Sequence, residues 1–558
     1  PGQAQSVACS DSNLLAVADG SAGLAVIDFS DPPAAFISHQ VNLGGSVRAV
    51  ATAGSLAYAG LSNGNVVVVD MQSGTVLQTV NAGGAAIEDL AVEKENLFVL
   101  LDSQLRAYGV AQGALTFQGQ VATTGYIAEG ITGRKRLFVG GGFAYATSYP
   151  GYDVFNVQNP TSPVRVGNAS IPGPNSFKQI VANGSGLGVA TVGVNPRNDG
   201  THDLWLYDVR DPTRTGDLLT TFGTPDVARA VAIYNGLAYV ADSAGGLHVM
   251  SYLAYDTQGI PPTIALSTNF VSGQAEEGKL MRVTADVTDD SQVRTVQFYI
   301  NNVQTQIDGN FPFEVRFITP RINPPPAPGR PGQPQSPTFT LRARAIDTGG
   351  NATWSDTMTV TLTADATAPQ VTLVAPANNS VNILGEVSAV AVTFSEPIDA
   401  ATLTAATFRL FNAGNDGQLG TGDDQLVSGG VIEYRSDINM AVLNFDSPLP
   451  PQQYRVEVST GVTDLVGNAL AAVFNSTFRV NQPVTWVSDN SGFWDVGSNW
   501  SSGSAPTASD FVVISRPSAV VTVTVRFGGA VARRILNDET LEINGGALTV
   551  SESSTSAG

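Results

Sequence analysis

Residues 412–424 carry the side chains whose types and spacing best suit metal binding. The loop reads NAGNDGQLGTGDD, which places Asn412, Asp416 and Asp423 at positions 1, 5 and 12 of a calcium loop, with Asp424 beside them. Ca²⁺ takes about six to eight oxygen ligands on a chain that turns sharply. A glycine replaces the ligand at position 3, and Asp423 is shorter than the usual Glu. The spacing predicts a Ca²⁺ site at Asn412, Asp416, Asp423 and Asp424, and an ion-free acidic hairpin is the alternative.

A second group of acidic side chains is a weaker candidate for metal binding. Asp286, Asp289 and Asp290 fall within five residues. Asp347 would join them if the turn that contains it folds close by. Aspartates are mostly solvated at protein surfaces, so carboxylates without an ion are the alternative.

No set of residues has the pattern of a catalytic site. The segment 273–280 (GQAEEGKL) begins like a phosphate-binding loop, but Leu280 replaces the Ser or Thr that holds Mg²⁺, and two glutamates would repel phosphate. His39, His202 and His248 fall in different repeats, and no nucleophile elbow or histidine pair accompanies them. The sequence therefore favours a protein that is not an enzyme.

Composition and charge exclude several classes of partner. Lys and Arg number 28 against 48 Asp and Glu, which gives a net charge of −20. Nucleic acids and anionic membrane surfaces both require clustered basic residues, so we expect neither as a partner. The single cysteine, Cys9, excludes an internal disulfide and a cysteine zinc site. No apolar run approaches the roughly 18–20 residues of a membrane helix, so we expect no membrane insertion by this segment.

The elements that must position these residues begin with a degenerate repeat in the first 255 residues. Its anchor is a leucine that opens a short apolar strand, and the anchors are Leu14, Leu56, Leu97, Leu137, Leu187 and Leu237. Four short strands per unit of about 45 residues predict a β-propeller. The sixth unit lacks a clear fourth strand after Tyr252. We expect six or seven blades, with residues 1–6 or sequence upstream of Pro1 closing the ring, because a ring cannot leave that edge open.

Two segments with strand-like alternation follow, from Thr263 to Thr363 and from Ala368 to Val480. Their short strands predict two immunoglobulin-like sandwiches. Both contain the pattern D-x-x-G-N, which predicts a structural hairpin turn. The Pro-rich stretch from Pro320 to Pro337 predicts an extended loop.

Residues 482–558 change character again. Trp486, Trp494 and Trp500 lie within 15 residues, and short apolar triplets follow, separated by turns such as Asn544-Gly545-Gly546. This spacing predicts the first two or three rungs of a parallel β-helix. A β-helix needs several rungs to bury its core, so we expect the native protein to continue past Gly558. We expect the tryptophans to cover the open end of the helix, and sugar stacking is the alternative.

Several of these segments resemble parts of bacterial surface proteins. The strand-to-turn sequences VIDFSDP and YDVRDP resemble LVIVD-repeat propellers, and ADVTDDSQVRTVQFYINN with RARAIDTGGNATWSD resembles bacterial Ig-like domains. VTFSEPIDAATLTAATFRLF and LPPQQYRVEVSTGVTDLVGNALA resemble the Ig-like domain named for S-layer proteins. The Trp-rich entry to the tail resembles the leading segment of autotransporter-like β-helices. These resemblances imply a multi-domain protein that is secreted or attached to the bacterial cell surface.

The sequence thus predicts an all-β protein with four parts: a propeller (1–257), a bacterial Ig-like domain (258–366), an S-layer-type Ig-like domain (367–481) and a Trp-rich cap with the start of a β-helix (482–558). We expect a non-enzymatic structural or adhesive role, with self-assembly or a cell-surface glycan or protein ligand as the partner. One alternative is a ligand-binding module. The other is the accessory part of a polysaccharide-degrading enzyme whose catalytic region lies beyond residue 558.

Overall fold

The computed structural model describes residues 2–10, 13–110, 114–124, 134–148, 151–168, 176–193, 202–253, 256, 258–270, 273–322, 337–383, 387–551 and 555–556. The protein is all-β in these residues, with four single-turn 3₁₀ helices at Pro32–Ala34, Ser243–Gly245, Ala400–Thr402 and Gly497–Asn499. Most of the Pro-rich stretch from Pro320 to Pro337 lies outside the described residues.

Six small antiparallel sheets form a propeller, and the innermost strand of each sheet contacts that of the next. The sheets are β1 (Ser6–Cys9), β2 (Leu14–Ala18), β3 (Leu24–Asp28) and β4 (Phe36–Val41); β5 (Val47–Ala53), β6 (Leu56–Leu61), β7 (Asn65–Asp70) and β8 (Val76–Asn81); β9 (Ile87–Glu93), β10 (Asn96–Leu101), β11 (Gln104–Gly109) and β12 (Thr116–Ala122); β13 (Leu137–Gly140), β14 (Phe143–Ser148), β15 (Gly151–Asn156) and β16 (Val164–Gly167); β17 (Ser176–Ala182), β18 (Leu187–Gly193), β19 (His202–Asp208) and β20 (Leu218–Gly223); and β21 (Ala230–Tyr234), β22 (Leu237–Ala241) and β23 (Leu247–Met250).

In the second to fifth sheets the middle strands are mostly buried because a neighbouring sheet packs on each side. All six residues of β6 are buried, and so are five of the six in β7. Outer strands such as β4 have no buried residue. This difference explains why continuous apolar runs marked the repeat in the sequence.

One anchor of the predicted repeat was wrong. Leu137 opens β13, the innermost strand of its sheet, and Phe143 opens the second strand. The error arose because two similar apolar strings flank a glycine run. Gly141 and Gly142, both at positive φ (64° and 79°), form the hairpin turn between them.

The predicted closure of the ring by residues 1–6 was also wrong. Ser6 opens β1, which pairs with β2 inside the first sheet, and the Gln5 amide bonds Ala18. Because these residues pair within the first sheet, they do not supply a strand to the sixth sheet. Within the described residues the sixth sheet has three strands, and Leu247 and Val249 of its outer strand β23 are exposed. Closure by upstream sequence stays a prediction.

Two Ig-like sandwiches follow, each made of two facing sheets. The first contains β24 (Thr263–Thr268), β26 (Leu280–Thr288) and β29 (Phe313–Ile318) in one sheet, and β25 (Gln274–Glu276), β27 (Val293–Ile300), β28 (Val303–Asp308), β30 (Thr338–Asp347), β31 (Ala352–Trp354) and β32 (Met358–Thr363) in the other. The second contains β33 (Val371–Ala375), β35 (Ala389–Phe394), β38 (Val431–Arg435) and β39 (Met440–Asn444), facing β34 (Ser380–Ile383), β36 (Phe408–Asn412), β37 (Gln425–Leu426), β40 (Gln453–Val458) and β41 (Phe474–Asn481). Each sandwich encloses its own apolar core.

The tail forms the beginning of a parallel β-helix. Its strands stack in parallel as three narrow sheets: β42 (Val484–Thr485), β44 (Phe511–Ile514), β47 (Arg534–Asn537) and β50 (Thr555–Ser556); β43 (Gly492–Phe493), β45 (Thr522–Val525) and β48 (Thr540–Ile543); and β46 (Gly529–Ala532) and β49 (Ala547–Val550). Trp486, Trp494 and Trp500 are buried in its core, and the Trp500 indole donates to the Trp494 carbonyl at 2.7 Å. Burial of all three removes the flat exposed faces that sugar stacking requires.

Candidate functional site

The predicted calcium loop connects β36 to β37 and folds around Asp423. The Oδ2 atom of Asp423 accepts the backbone N–H groups of Asn415 at 2.8 Å and Asp416 at 3.1 Å. Its Oδ1 atom accepts the Thr421 hydroxyl at 2.6 Å. The Thr421 hydroxyl, followed by the two N–H groups, lowers the pKa of Asp423. The side chain therefore stabilises the loop itself in its charged form.

The other predicted ligands also have partners inside the hairpin. Asp424 accepts the Gly420 amide at 2.9 Å and pairs with Arg455 at 3.3 Å. Asn412 and Asp416 each accept an amide two residues further on, at 3.0 and 2.8 Å. The structure thus brings the four side chains into one hairpin but turns each toward a donor of the protein. The Ca²⁺ site stays a prediction.

The acidic group of the first sandwich comes together in part. Burial raises the pKa of Asp289, and the neighbouring Asp347 raises it further. Asp289 accepts the amide and hydroxyl of Ser291, while Asp347 accepts the Asn351 amide at 2.8 Å. Asp347 therefore serves its own D-x-x-G-N turn, as the sequence predicted. The equivalent Asp464 of the second sandwich accepts three successive amides in the same way.

Sequence reasoning missed one acidic cluster, which lies where the two sandwiches meet. Asp365, Glu396 and Asp464 hold carboxylate oxygens within 4.8 Å of one another, and no other group of three does so in the described ranges. Lys279 of the first sandwich enters this cluster, bonding Glu396 and lying 2.9 Å from Asp365. The only signal in the sequence was a lysine, one of four in an acidic chain, in the turn Glu-Glu-Gly-Lys.

Lys279 offsets part of the negative charge of this cluster. Burial raises the pKa of Glu396 to about 7, against the lowering effect of Lys279. Burial is the largest effect on Asp365 and raises its pKa, but the bond and charge of Lys279 together with the Thr367 amide outweigh it, and the pKa is lowered overall. Burial alone would lower the pKa of Lys279, yet its two carboxylate partners raise it. Since Lys279 of the first sandwich pairs with Glu396 of the second, the arrangement is an electrostatic clamp between domains.

A buried ion pair joins the second sandwich to the propeller. Arg435 Nη1 lies 2.7 Å from both carboxylate oxygens of Asp70, and the two side chains are 4% and 0% exposed. Beside the pair, the Ser55 amide donates to Asp437 at 2.8 Å. One apolar cluster also spans the boundary and includes Leu77 of the propeller and Met440 of the sandwich.

The first sandwich docks on the same face of the propeller. Arg282 forms a bidentate pair with Glu95 in the β9–β10 turn. The Ser185 hydroxyl donates to the Ser291 carbonyl at 3.1 Å, and the Phe311 ring packs on Gly184. Phe311 also packs on Gly141 of the β13–β14 hairpin, and the Asn235 amide of the β21–β22 hairpin donates to the Gly309 carbonyl at 2.9 Å. The hairpins that join first and second strands thus meet a sandwich in five successive sheets, from the second to the sixth. We call this the covered face of the propeller.

The described histidines have structural contacts. His39 Nε2 lies 2.7 Å from the Gln72 carbonyl, and His248 Nε2 lies 3.1 Å from Asp242. The side chain of His202 lies outside the described part of the chain. His39 and His248 thus each make a polar contact inside the propeller.

Comparisons with known proteins agree with the sequence in two places. A family described as "LVIVD repeat" matches residues 1–42 and 227–250, and one described as "Bacterial Ig-like domain" matches residues 365–480. A search of curated proteins finds no match. Among solved structures, the computationally designed Ika8 protein is similar at 14% identity, covering 63% of this chain and 95% of its own, with a TM-score of 0.32. No helix in the described residues is long and apolar enough to cross a membrane. The chain is therefore similar to LVIVD-repeat proteins at both ends of its propeller and to bacterial Ig-like domains in its second sandwich.

Proposed function

We propose that the chain is a non-enzymatic structural or adhesive part of a bacterial cell-surface protein and acts outside the cell. The family matches support the surface setting, because an LVIVD repeat and a bacterial Ig-like domain occur in one chain. Under this proposal the second sandwich is of the S-layer type and the tail is the start of an autotransporter-like stalk.

The observation that carries the proposal is the way the domains are joined. Domains linked for independent motion meet through small polar contacts. Here the boundary of propeller and second sandwich encloses the Asp70–Arg435 pair, and Lys279 clamps one sandwich to the other. Separation of the propeller from the second sandwich would also expose the apolar cluster that includes Leu77 and Met440, and exposing buried apolar surface to water is unfavourable. Such joints suit a protein that holds its shape under load.

Partners and ions follow from the same role. Self-assembly would use surfaces away from the covered face, and adhesion would use a cell-surface glycan or protein as ligand. Calcium at the hairpin that contains Asp416 and Asp423 would stiffen the second sandwich rather than take part in chemistry.

Electron microscopy of native material sheared from the cell surface tests the proposal. We expect antibodies against the propeller to label intact cells, and sheared material to contain fibres, a lattice or elongated rods. Labelling only after the cells are broken would contradict the surface role. Release of sugars from purified cell-wall polysaccharide by this chain would contradict the non-enzymatic role.

A further inference from the structure

The face of the propeller opposite the sandwiches carries an unusual concentration of basic residues. Innermost strands end at the hairpins of the covered face, so their first residues lie on the other face, which we call the open face. Six of the chain's 28 basic residues lie at these strand starts: Arg48, Arg134, Lys135, Arg136, Lys178 and Arg229. The chain as a whole has a net charge of −20, so this grouping runs against the composition.

Backbone geometry places these side chains at matching positions. Arg48 and Lys178 are extra residues at the register shifts of β5 and β17, and Glu88 holds the same position in β9. A bulge leaves its extra residue outside the ladder and re-aims the side chain. Arg229 immediately precedes β21, and its amide donates to the Ala241 carbonyl at 2.8 Å. Innermost strands surround the propeller axis, so these side chains lie at the mouth of its centre.

Several of these charges are neutralised by acids of the propeller. Arg48 pairs with Glu88 at 3.2 Å, and Lys135 pairs with Asp102 at 3.2 Å. Arg136 lies 3.9 Å from Asp89, a carboxylate that also accepts the Leu137 amide. Another acid on this face, Asp242, accepts the Asp226 amide and contacts His248 through Oδ2, while its buried Oδ1 has no hydrogen-bond partner in the described residues.

Arg134 and Arg229 have no carboxylate within ion-pair distance among the described residues. Arg134 Nη2 donates to the Gln5 carbonyl at 3.0 Å, while its Nη1 is buried with no hydrogen-bond partner in the described part of the chain. Burial lowers the pKa of Arg134 to about 10, and repulsion from Arg136 and Arg48 acts in the same direction, while the carboxylates of Asp89 and Glu88 act against it. An unsatisfied donor on a buried cation costs free energy, and a bound anion would remove that cost.

We propose that the open face binds a compact oxyanion, such as a carboxylate, phosphate or sulfate group, at Arg134, with Arg48 and Arg136 beside it. A charged guanidinium N–H forms a short, strong hydrogen bond to an oxygen of such a group. Arg134 already spends one nitrogen on Gln5 and keeps the other for the ligand. The site does not depend on the proposed structural role, so either proposal can fail without the other.

Isothermal titration of the full chain with inorganic sulfate, inorganic phosphate, acetate and glucuronate, at constant ionic strength, tests the site. We expect saturable binding of at least one of these anions by the wild type. Arg134→Gln should weaken it at least tenfold. Arg165→Gln, on the exposed outer strand β16, is the matched control and should leave the affinity unchanged. Tighter binding of glucuronate than of acetate would identify a sugar acid as the source of the anion, and equal binding would identify the free ion.

Arg136→Gln keeps the test decisive if Arg134→Gln fails to fold. Arg136 lies 3.9 Å from Asp89, which keeps the Leu137 amide as a partner, so the loss of Arg136 should leave the fold intact and weaken binding about threefold. Crystals soaked in selenate should show an anomalous peak beside Arg134. If the wild type binds none of the four anions at about 20 mM, a concentration that reveals millimolar affinities, the proposal is overturned. Unchanged affinity in both arginine variants would overturn it as well.

Discussion

Arg435 and Asp70 belong to different domains, yet together they form the most deeply buried ion pair described above. Asp70 ends β7 and also accepts the amides of Gln72 and Ser73 in the following turn. Arg435 ends β38 and holds Glu433 with its second nitrogen at 2.8 Å. Such a pair adds little to stability as a whole, but removing one member leaves an uncompensated buried charge.

Arg435→Leu should therefore lower the free energy of unfolding by about 3–5 kcal/mol, the usual cost of breaking a buried pair. Thermal and urea unfolding followed by circular dichroism measure the loss. The double variant Asp70→Asn/Arg435→Leu should recover part of it, because no buried charge then remains. The control Arg165→Leu, on an exposed outer strand, should change stability by less than about 0.5 kcal/mol. Equal losses of stability in Arg435→Leu and Arg165→Leu would contradict the role of the Asp70–Arg435 pair.

Glu396 should make the sandwich junction sensitive to pH. Its pKa is raised from 4.5 to about 7 by burial. An acid with a raised folded-state pKa contributes most to stability below its unfolded pKa, and that contribution is lost as the pH rises through about 7. Asp365, with a lowered pKa, acts oppositely: its contribution is present above its unfolded pKa and is lost as the pH falls through the lowered value.

Glu396→Gln removes the ionisation, so the melting temperature of this variant relative to wild type should rise between pH 4.5 and 8. Differential scanning calorimetry at several pH values measures the difference. Asp446→Asn, at an exposed position of the same sandwich, should follow the wild type throughout. A constant difference across this range would show that Glu396 keeps an ordinary pKa.

Among the elements, the hairpin turns of the propeller do most of the docking. Gly184 has a φ of +82°, and a Cβ added there would lie 2.4 Å from the Phe311 ring of the first sandwich. Gly84 has a similar φ of +75°, but a Cβ there would meet no atom within 4 Å. Alanine substitutions at the two glycines therefore distinguish the cost of backbone strain from the cost of losing the interdomain contact.

Gly84→Ala should cost about 1–2 kcal/mol from the left-handed backbone alone, and Gly184→Ala should cost more because it also displaces Phe311. Urea unfolding of both variants measures the difference. In Phe311→Ala the ring is absent, so adding Gly184→Ala to this variant should cost less than Gly184→Ala costs in the wild type. If Gly84→Ala and Gly184→Ala were equally destabilising, Phe311 would not pack on this turn.

The hairpin of residues 412–424 allows a test that separates its two roles. Asp423 holds the loop through three hydrogen bonds, so Asp423→Ala should lower the melting temperature even in the presence of a chelator. Calcium bound at the predicted site would add a second effect: a rise in melting temperature that disappears in Asp416→Ala/Asp423→Ala. An unchanged wild-type melt on adding chelator would remove calcium from this loop.

The elements were more predictable than their contacts. Alternation and turn residues predicted the sandwiches and the β-helix rungs, because each strand reports its own burial in its sequence. Similar apolar strings on both sides of Gly140–Gly142 caused the misplaced anchor at Leu137. The joints could not be predicted, since Asp70 and Arg435 lie 365 residues apart and nothing local to either residue identifies the other. Lys279 was noticed only within segment 273–280, which begins like a phosphate-binding loop. In the structure this segment forms β25, a turn and the first residue of β26.

At the scale of the whole molecule, the covered face makes the propeller and both sandwiches neighbours through many separate contacts. The Ser55 amide donates to Asp437 of the second sandwich, and the Asn235 amide donates at 2.9 Å to the Gly309 carbonyl of the first. Both donors lie at propeller hairpins that would be solvated in a free propeller. Their protection from solvent therefore reports directly on docking.

Hydrogen exchange followed by mass spectrometry should show slow exchange in peptides that cover residues 54–56 and 235–237. The exposed turn 83–85 on the open face should exchange quickly and serves as the internal reference. Asp437→Ala removes the acceptor of the Ser55 amide, so exchange should accelerate at 54–56 while 235–237 stays slow, because the first sandwich still covers that turn. Fast exchange at both hairpins in the wild type would mean that the domains move independently, and the proposed structural role would lose its support.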